Sequence, residues 1–204
     1  MKKVLLTSVI AVMATFTANA SVAPYVSLHA GYDNAKLTFG ADDINRVRQD
    51  DMAISAYDIS GAIGVKYDIT PSFGIRGEIE YDFADARHVG SGDLSTDWIR
   101  AHTVLANGYI DFKNSIGLNP YFSAGIGYQW LHHPGAYDYA SQVFKNLAYQ
   151  FGTGITYDIT KHVSVDLGYR YLTTSEIDFT DNWGIKMNVQ SVFHQFRLGA
   201  TYTF

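Results

Sequence analysis

The last thirteen residues, Val192 to Phe204, read VFHQFRLGATYTF. Phe196, Leu198, Ala200, Tyr202 and Phe204 alternate with Gln195, Arg197, Gly199, Thr201 and Thr203. Successive side chains of a β-strand point to opposite faces, so such a strand shows one face to an apolar medium and the other to a polar one. One strand of this kind fits a soluble sandwich as well as a membrane wall. The same alternation returns seven more times along the chain, and that recurrence narrows the choice.

The first strand begins near Tyr25, with Val26, Leu28, Ala30 and Tyr32 opposite Ser27, His29 and Gly31. The second sets Tyr57, Ile59, Ile63, Val65, Tyr67 and Ile69 against Asp58, Ser60, Gly64, Lys66 and Asp68, and turns at Thr70-Pro71-Ser72. In the third, Phe73, Ile75, Ile79, Tyr81 and Phe83 oppose Arg76, Glu78, Glu80 and Asp82. The fourth has Val104, Ala106, Ile110 and Phe112 outside and Asn107, Tyr109 and Asp111 inside, though Trp98 to Thr103 alternates poorly. The fifth places Phe122, Ala124, Ile126, Tyr128 and Trp130 opposite Ser123, Gly125, Gly127 and Gln129. The sixth places Leu147, Tyr149, Phe151, Ile155 and Tyr157 opposite Gln150, Gly152, Gly154 and Asp158. The seventh places Val163, Val165, Leu167, Tyr169 and Tyr171 opposite Asp166, Gly168 and Arg170.

The charged row decides which face is interior. Lys66, Arg76, Glu78, Glu80, Asp82, Asp166, Arg170 and Arg197 all fall on polar faces. A lipocalin-like barrel would need an apolar interior for its ligand, whereas a membrane barrel has a polar interior and an apolar outer band. The expected fold is therefore all-β: an eight-stranded antiparallel transmembrane β-barrel. Eight strands enclose a lumen that side chains fill, and sheltered charges need partners. The eight residues are thus expected to form an ion-pair ladder, with a small conducting porin as the alternative. Inward glycines at 64, 125, 127, 152, 154 and 168 leave room for that alternative.

Polar segments of about 33–52, 84–97, 131–146 and 173–190 alternate with short turns. Long loops on one side and short turns on the other is the asymmetry of bacterial outer-membrane barrels. Both mature ends then lie in the periplasm and the long loops outside. Tyr67-Asp68-Ile69-Thr70 reappears as Tyr157-Asp158-Ile159-Thr160, with Gly64 matching Gly154, which sets both turns on the same side.

The N-terminus supports export. Met1-Lys2-Lys3, an apolar run from Val4 to Phe16 and Ala18-Asn19-Ala20 have the form of a secretory signal cut after Ala20. The run is short of the roughly 20 residues a spanning helix needs. The domains are then 1–20, a cleaved signal peptide, and 21–204, the barrel. Losing Lys2 and Lys3 takes the formal charge from −5 to −7, a poor balance for nucleic acid, whose binding depends on cations at phosphates. Cysteine is absent, so disulfides and thiolate metal sites are excluded. The 15 Tyr and 12 Phe suit the aromatic girdles of a barrel.

PYFSAGIGYQW, AYQFGTGITYDIT, VSVDLGYRYL and FRLGATYTF resemble the opacity-protein and outer-membrane-protein-A-like family of eight-stranded barrels, labelled porin-family proteins. The resemblance covers essentially the mature chain and is strongest from Pro120 onward. It implies an outer-membrane protein that is a structural barrel, an adhesin acting through surface loops or, in some members, a narrow pore. It also implies that Phe196, Leu198, Tyr202 and Phe204 form the signal read by the outer-membrane assembly machinery. The partners expected are outer-membrane lipid and lipopolysaccharide, that machinery with its periplasmic chaperones, and a host or environmental ligand at the loops. Cell-wall tethering does not carry over, since no peptidoglycan-binding segment follows Phe204 in this sequence.

Enzymatic and metal sites are weakly signalled. Some outer-membrane barrels modify lipid A or cleave peptides, but His162 with Ser164 falls at a periplasmic turn, and His102 with Asp97 has no serine nucleophile beside it. His132-His133 reads as a loop pair rather than a metal site. Asp42, Asp43, Asp50 and Asp51 lack the spacing of a calcium loop. No catalytic residue, metal or cofactor is assigned.

Overall fold

The computed structural model describes residues 22–43, 46–87, 98–133, 142–175, 177–180 and 186–204. The strands are β1 (Val22–Asp43), β2 (Arg46–Thr70), β3 (Phe73–Arg87), β4 (Trp98–Phe112), β5 (Leu118–His133), β6 (Gln142–Asp158), β7 (Val163–Thr174), β8 (Ile177–Thr180) and β9 (Lys186–Thr203). Each barrel strand pairs antiparallel with the next, and β1 pairs with β9 to close the cylinder. The short β8 adds a strip along the outer end of β9, from Ile177↔Val189 to Thr180↔Lys186. The wall is therefore an eight-stranded closed barrel. The segment read as a signal peptide lies outside the described residues.

The facing follows the alternation. Leu28, Ile59, Phe151, Leu167 and Leu198 are each at least 60 % exposed on the outer wall, an apolar surface that water does not tolerate at this extent and that lipid does. Two aromatic belts bound it. Phe73, Phe112 and Phe122 pack edge to face at the lower end, with ring centroids 5.9 and 6.2 Å apart. Tyr32 and Tyr57, 5.5 Å apart, belong to the upper belt.

The short turns have local causes. At Lys113–Gly117 the Asn114 side chain accepts hydrogen bonds from the Ile116 and Leu118 N–H groups at 3.1 and 3.2 Å, an Asx-type turn. The chain then passes through Gly117 at φ 76°, a conformation that favours glycine. At the β6–β7 turn, Thr160 Oγ1 accepts from the His162 and Val163 N–H groups at 3.1 and 2.9 Å.

The long segments depart from the sequence reading. Most of 33–52 is strand: β1 and β2 stay in register up to Asp43↔Arg46. At 22 and 25 residues they far exceed the roughly 9–11 residues a membrane strand needs, so this hairpin projects beyond the bilayer. Polar residues on both faces, as at buried Asp33 and exposed Asn34 and Lys36, weaken the alternation there. Likewise, the loop assigned to 131–146 shrinks, since β5 runs through His133 and β6 starts at Gln142. His132 and His133 are thus strand residues, paired with Val143 and Gln142. The segments assigned to 84–97 and 173–190 also contain strand at their ends. Trp98 to Thr103 is regular strand, paired from Arg87↔Trp98 onward. Its alternation is weak because its inward residues include buried Ala101 and its outward residues include Arg100 and His102.

Candidate functional site: the lumen

The centre of the lumen is an ionic knot. Arg170 on β7 donates from Nη1 to both Glu80 oxygens, at 3.0 and 2.9 Å, and from Nη2 to Asp82 at 2.6 Å. Arg197 on β9 donates from Nη2 to Glu80 at 2.6 Å and lies 3.4 Å from Asp58 and 3.7 Å from Asp82. It also donates to Ser60. The fork of a guanidinium suits several carboxylates at once, and here two forks tie β7 and β9 to β2 and β3. Arg170 Nε continues the network to Gln195, whose amide donates to Asp33 at 2.8 Å.

The other predicted lumen residues are distributed differently. Arg76 makes a two-pronged pair with Asp111, 2.8 Å at each contact, and its guanidinium lies 4.3 and 5.3 Å from the ring centres of Tyr109 and Tyr121. Glu78 receives neutral donors: Tyr25 at 2.7 Å, Tyr109 at 2.6 Å and Asn107 at 3.2 Å. Asp166 faces His29 Nε2 at 3.4 Å. Lys66 lines a separate space near the periplasmic end with Asp68, Asp111, Lys113 and Asp158. The arrangement is a central knot with separate lower pairs, not one continuous ladder. The residues that sequence reasoning left out of it were Asp33, Asp58, Asp111, Tyr25 and Tyr109. Asp58, Tyr109 and Asp111 already stood on inward faces, and Asp33 was legible one period beyond Gly31.

Above the knot, apolar side chains share the lumen with a buried polar network of Thr103, Gln129, Thr174 and Ser191. Ala35, Ala56, Ala84, Ala101, Leu105, Leu131, Ala148, Leu172 and Phe193 are buried in one cluster, and every one of the eight wall strands contributes at least one of them. Ala35 lies opposite Phe193, Phe193 opposite Leu172, and Ala84 opposite Ala101, which lies opposite Leu131. The cluster therefore rings the inside of the wall toward the loop end.

The space beside the inward glycines is occupied by neighbouring groups. A Cβ on Gly64 would meet the Tyr25 ring at 2.6 Å, and one on Gly154 would meet the Tyr121 ring at 2.6 Å. Tyr25 and Gly64 are register partners, as are Tyr121 and Gly154, so the phenol end of each tyrosine occupies the space beside a glycine on the next strand. The echo between the two hairpins thus extends to this ring-on-glycine contact. Gly152 is covered by Ser123 and Gln150. A cavity of about 20 Å³ beside the knot and another of about 50 Å³ beside Lys66 have room for about one and a few waters respectively.

A serine, a histidine and an aspartate do line up: Ser60 Oγ is 3.5 Å from His29 Nδ1, and Asp166 is 3.4 Å from Nε2. Ser60 is already held by Arg197, and the adjoining cavity admits water alone. His162 bonds through Nδ1 to the Thr203 carbonyl at 2.9 Å. His102 lies on the outer wall, 2.6 Å from the Tyr81 hydroxyl, while Asp97 falls outside the described residues. Among the described residues no group of three metal-ligating side chains converges.

The chain belongs to the outer membrane protein beta-barrel domain family, which matches residues 4–204; it is an integral outer-membrane β-barrel. It is 24% identical over 176 residues to the outer membrane protein PagN of Salmonella typhimurium, covering 71% of this chain and 72% of that protein. Among solved structures it is similar to Neisserial surface protein A, with TM-score 0.50 and 18% identity, covering 88% of this chain and 97% of the other. It is also similar to the outer membrane protease OmpT of Escherichia coli, with TM-score 0.51 and 8% identity, covering 92% and 100%. At these identities the two structures establish the fold alone, and the second is a reminder that one fold hosts several chemistries.

Proposed function

We propose that this protein is a structural and surface-interaction barrel of the outer membrane, with a closed lumen and its partner-facing chemistry at the loop end. The observation that carries this reading is the filling of the lumen, where the Arg170–Glu80–Arg197 knot lies beneath the apolar ring. Charge beside open water would favour conduction; charge paired off beneath Leu172 and Phe193 does not. The long β1–β2 hairpin supplies a projecting surface for a host or environmental ligand. The protein acts without catalysis on this reading, which rests on Ser60 being engaged and on the size of the cavity beside it.

Export through the general secretory pathway after cleavage at Ala20, and recognition of Phe196, Leu198, Tyr202 and Phe204 by the assembly machinery, belong to the same proposal. Those four side chains line the outward face of β9, where an incoming strand is still accessible before closure. The test pairs two measurements. Purified protein in planar bilayers should give no steady conductance, and cells displaying it should gain adhesion that is lost when the β1–β2 hairpin tip is replaced. Stable ohmic channels from the wild type would promote the porin reading instead.

A further inference from the structure

The knot brings the four carboxyl groups of Asp33, Asp58, Glu80 and Asp82 to the two guanidiniums of Arg170 and Arg197, all of them buried. Glu80 and Asp82 take most of what the guanidiniums donate. Asp33 on β1 and Asp58 on β2, 0 and 4 % exposed, are left short. Among the described residues Asp33 forms no ion pair: its Oδ2 accepts from the Gln195 amide at 2.8 Å, and its Oδ1 is buried without a donor. Asp58 has Arg197 Nε at 3.4 Å, yet neither of its oxygens receives a hydrogen bond. Buried polar atoms in this state are rare in folded proteins, and each requires a specific cause.

The strand register brings the two together. Asp58 is the register partner of Gly31, and Asp33 follows Gly31 by one period on the same inward face. Gly31 has no side chain, and Asp58 Oδ1 fills the space that a Cβ there would take. Asp58 therefore leans over β1, and the two carboxyls lie within hydrogen-bond reach of each other. Two carboxylates so placed repel and offer no donor, whereas one proton between them makes a charge-assisted hydrogen bond. With that proton on Asp33 Oδ1, a directional chain runs through the lumen. Arg170 Nε donates to Gln195 Oε1, and Gln195 Nε2 donates to Asp33 Oδ2. Asp33 then donates to Asp58, which keeps its negative charge beside Arg197. The guanidinium favours the ionised form on Asp58, while Asp33 meets only a neutral amide.

We propose that Asp33 and Asp58 form a proton-binding site, an acid–carboxylate pair that holds one proton at neutral pH and fastens β1 to β2 at the foot of the projecting hairpin. The other charged or titratable groups facing the pair are Glu80 and Asp82 from β3, Arg170 from β7, Arg197 from β9 and, lower on the same face of β1, His29. Raising the pH releases the proton to solvent and leaves two repelling carboxylates under the hairpin. In the unfolded chain both carboxyls are already ionised at neutral pH, so the folded state is the one that binds the extra proton. Stability then falls as the pH rises through the loss of that proton.

Infrared spectroscopy of the whole barrel in detergent tests this, because a protonated carboxyl and a carboxylate absorb at separate frequencies. At neutral pH the wild type should show a protonated-carboxyl band that disappears as the pH is raised, and this reading needs no variant. Asp33→Asn keeps both contacts without a proton, since its amide accepts from Gln195 and donates to Asp58. That variant should fold and lose the band entirely. Asp58→Asn should lose it as well, because an amide there donates to an ionised Asp33. Asp111→Asn, which changes a carboxylate held by Arg76, should keep the band. In urea unfolding at alkaline pH, Asp33→Asn should be at least as stable as the wild type, and its advantage should shrink as the pH falls to neutral. A wild type without the band at neutral pH, a band that survives in Asp33→Asn, or an Asp33→Asn barrel less stable than the wild type at alkaline pH would each overturn the site.

Discussion

Arg170 and Glu80 are 90 positions apart in the chain and meet across the lumen, with Nη1 at 3.0 and 2.9 Å from the two carboxylate oxygens. Both are almost fully buried. Breaking such a pair by removing one partner strands a charge and costs about 3–5 kcal/mol, whereas replacing both by apolar residues can be neutral. Arg170→Ala should therefore lower the midpoint of urea unfolding in detergent by that scale, and Glu80→Ala should do so more, since it also strands Arg197. The Arg170→Leu/Glu80→Leu double variant should lose less than the sum of the single changes. Additive losses would mean the contact contributes little.

Leu167 and Leu198 are register partners on the outer wall, 66 % and 64 % exposed. A lysine at either position should cost roughly 2–4 kcal/mol near the bilayer midplane, measured by unfolding from lipid vesicles. A lysine at Thr201 on β9, which faces inward, should show no such dependence on bilayer thickness. Equal tolerance at Leu167 and at Ser115 in the β4–β5 turn would contradict the facing of β7.

The tyrosine-on-glycine contacts make a steric prediction. Gly154→Ala should press on the Leu167 carbonyl at 2.5 Å as well as on the Tyr121 ring, at a cost of about 1–3 kcal/mol, the range for overpacking a filled site. Tyr121→Leu should relieve part of that loss, giving a favourable coupling in a double-mutant cycle. Gly77→Ala, where a Cβ meets nothing within 4 Å, provides the comparison and should be nearly neutral.

Conductance separates the two barriers in the lumen. The wild type should be silent in planar bilayers. Arg170→Ala or Arg197→Ala should add brief openings, and combining either with Phe193→Ala should lengthen them, because the ring then loses its largest side chain. Variants as silent as the wild type would show that neither element is the seal.

Deleting Phe204, or changing it to Asp, should leave unfolded protein in the periplasm. Cell fractionation with heat-modifiable gel mobility reads this directly, and a normally folded, outer-membrane-located variant would refute the role of the terminal aromatic residue.

The wall was legible in the sequence wherever lipid and lumen impose opposite chemistry on alternate residues, as in Phe73 to Phe83 or Phe196 to Phe204. It was illegible where that contrast fails. Around Asp33 to Lys36 polar residues stand on both faces, with Asp33 buried in the lumen and Asn34 and Lys36 exposed on the wall, so the contrast between the faces weakens. Ala101, Leu105, Leu131 and Phe193 point inward yet are apolar, and they blurred the face assignment at the loop end. For the lumen, sequence gave the inward charges but not their partners. Pairing across a cylinder depends on shear between strands, which placed Arg170 beside Glu80, whereas Arg76 meets Asp111 diagonally on the neighbouring strand. The glycines suggested vacancy because the tyrosines that cover Gly64 and Gly154 come from neighbouring strands.

The apolar ring also has an evolutionary consequence. Each wall strand contributes at least one small or aliphatic member or, at Phe193, a ring, and the ring lies between the surface segments and the charged knot. Insertions, deletions and charge changes in the segments beyond it do not alter the barrier beneath. On the proposed closed-lumen reading, the cell can change what its surface presents, under pressure from hosts, phages or competitors, while its permeability to small solutes stays the same.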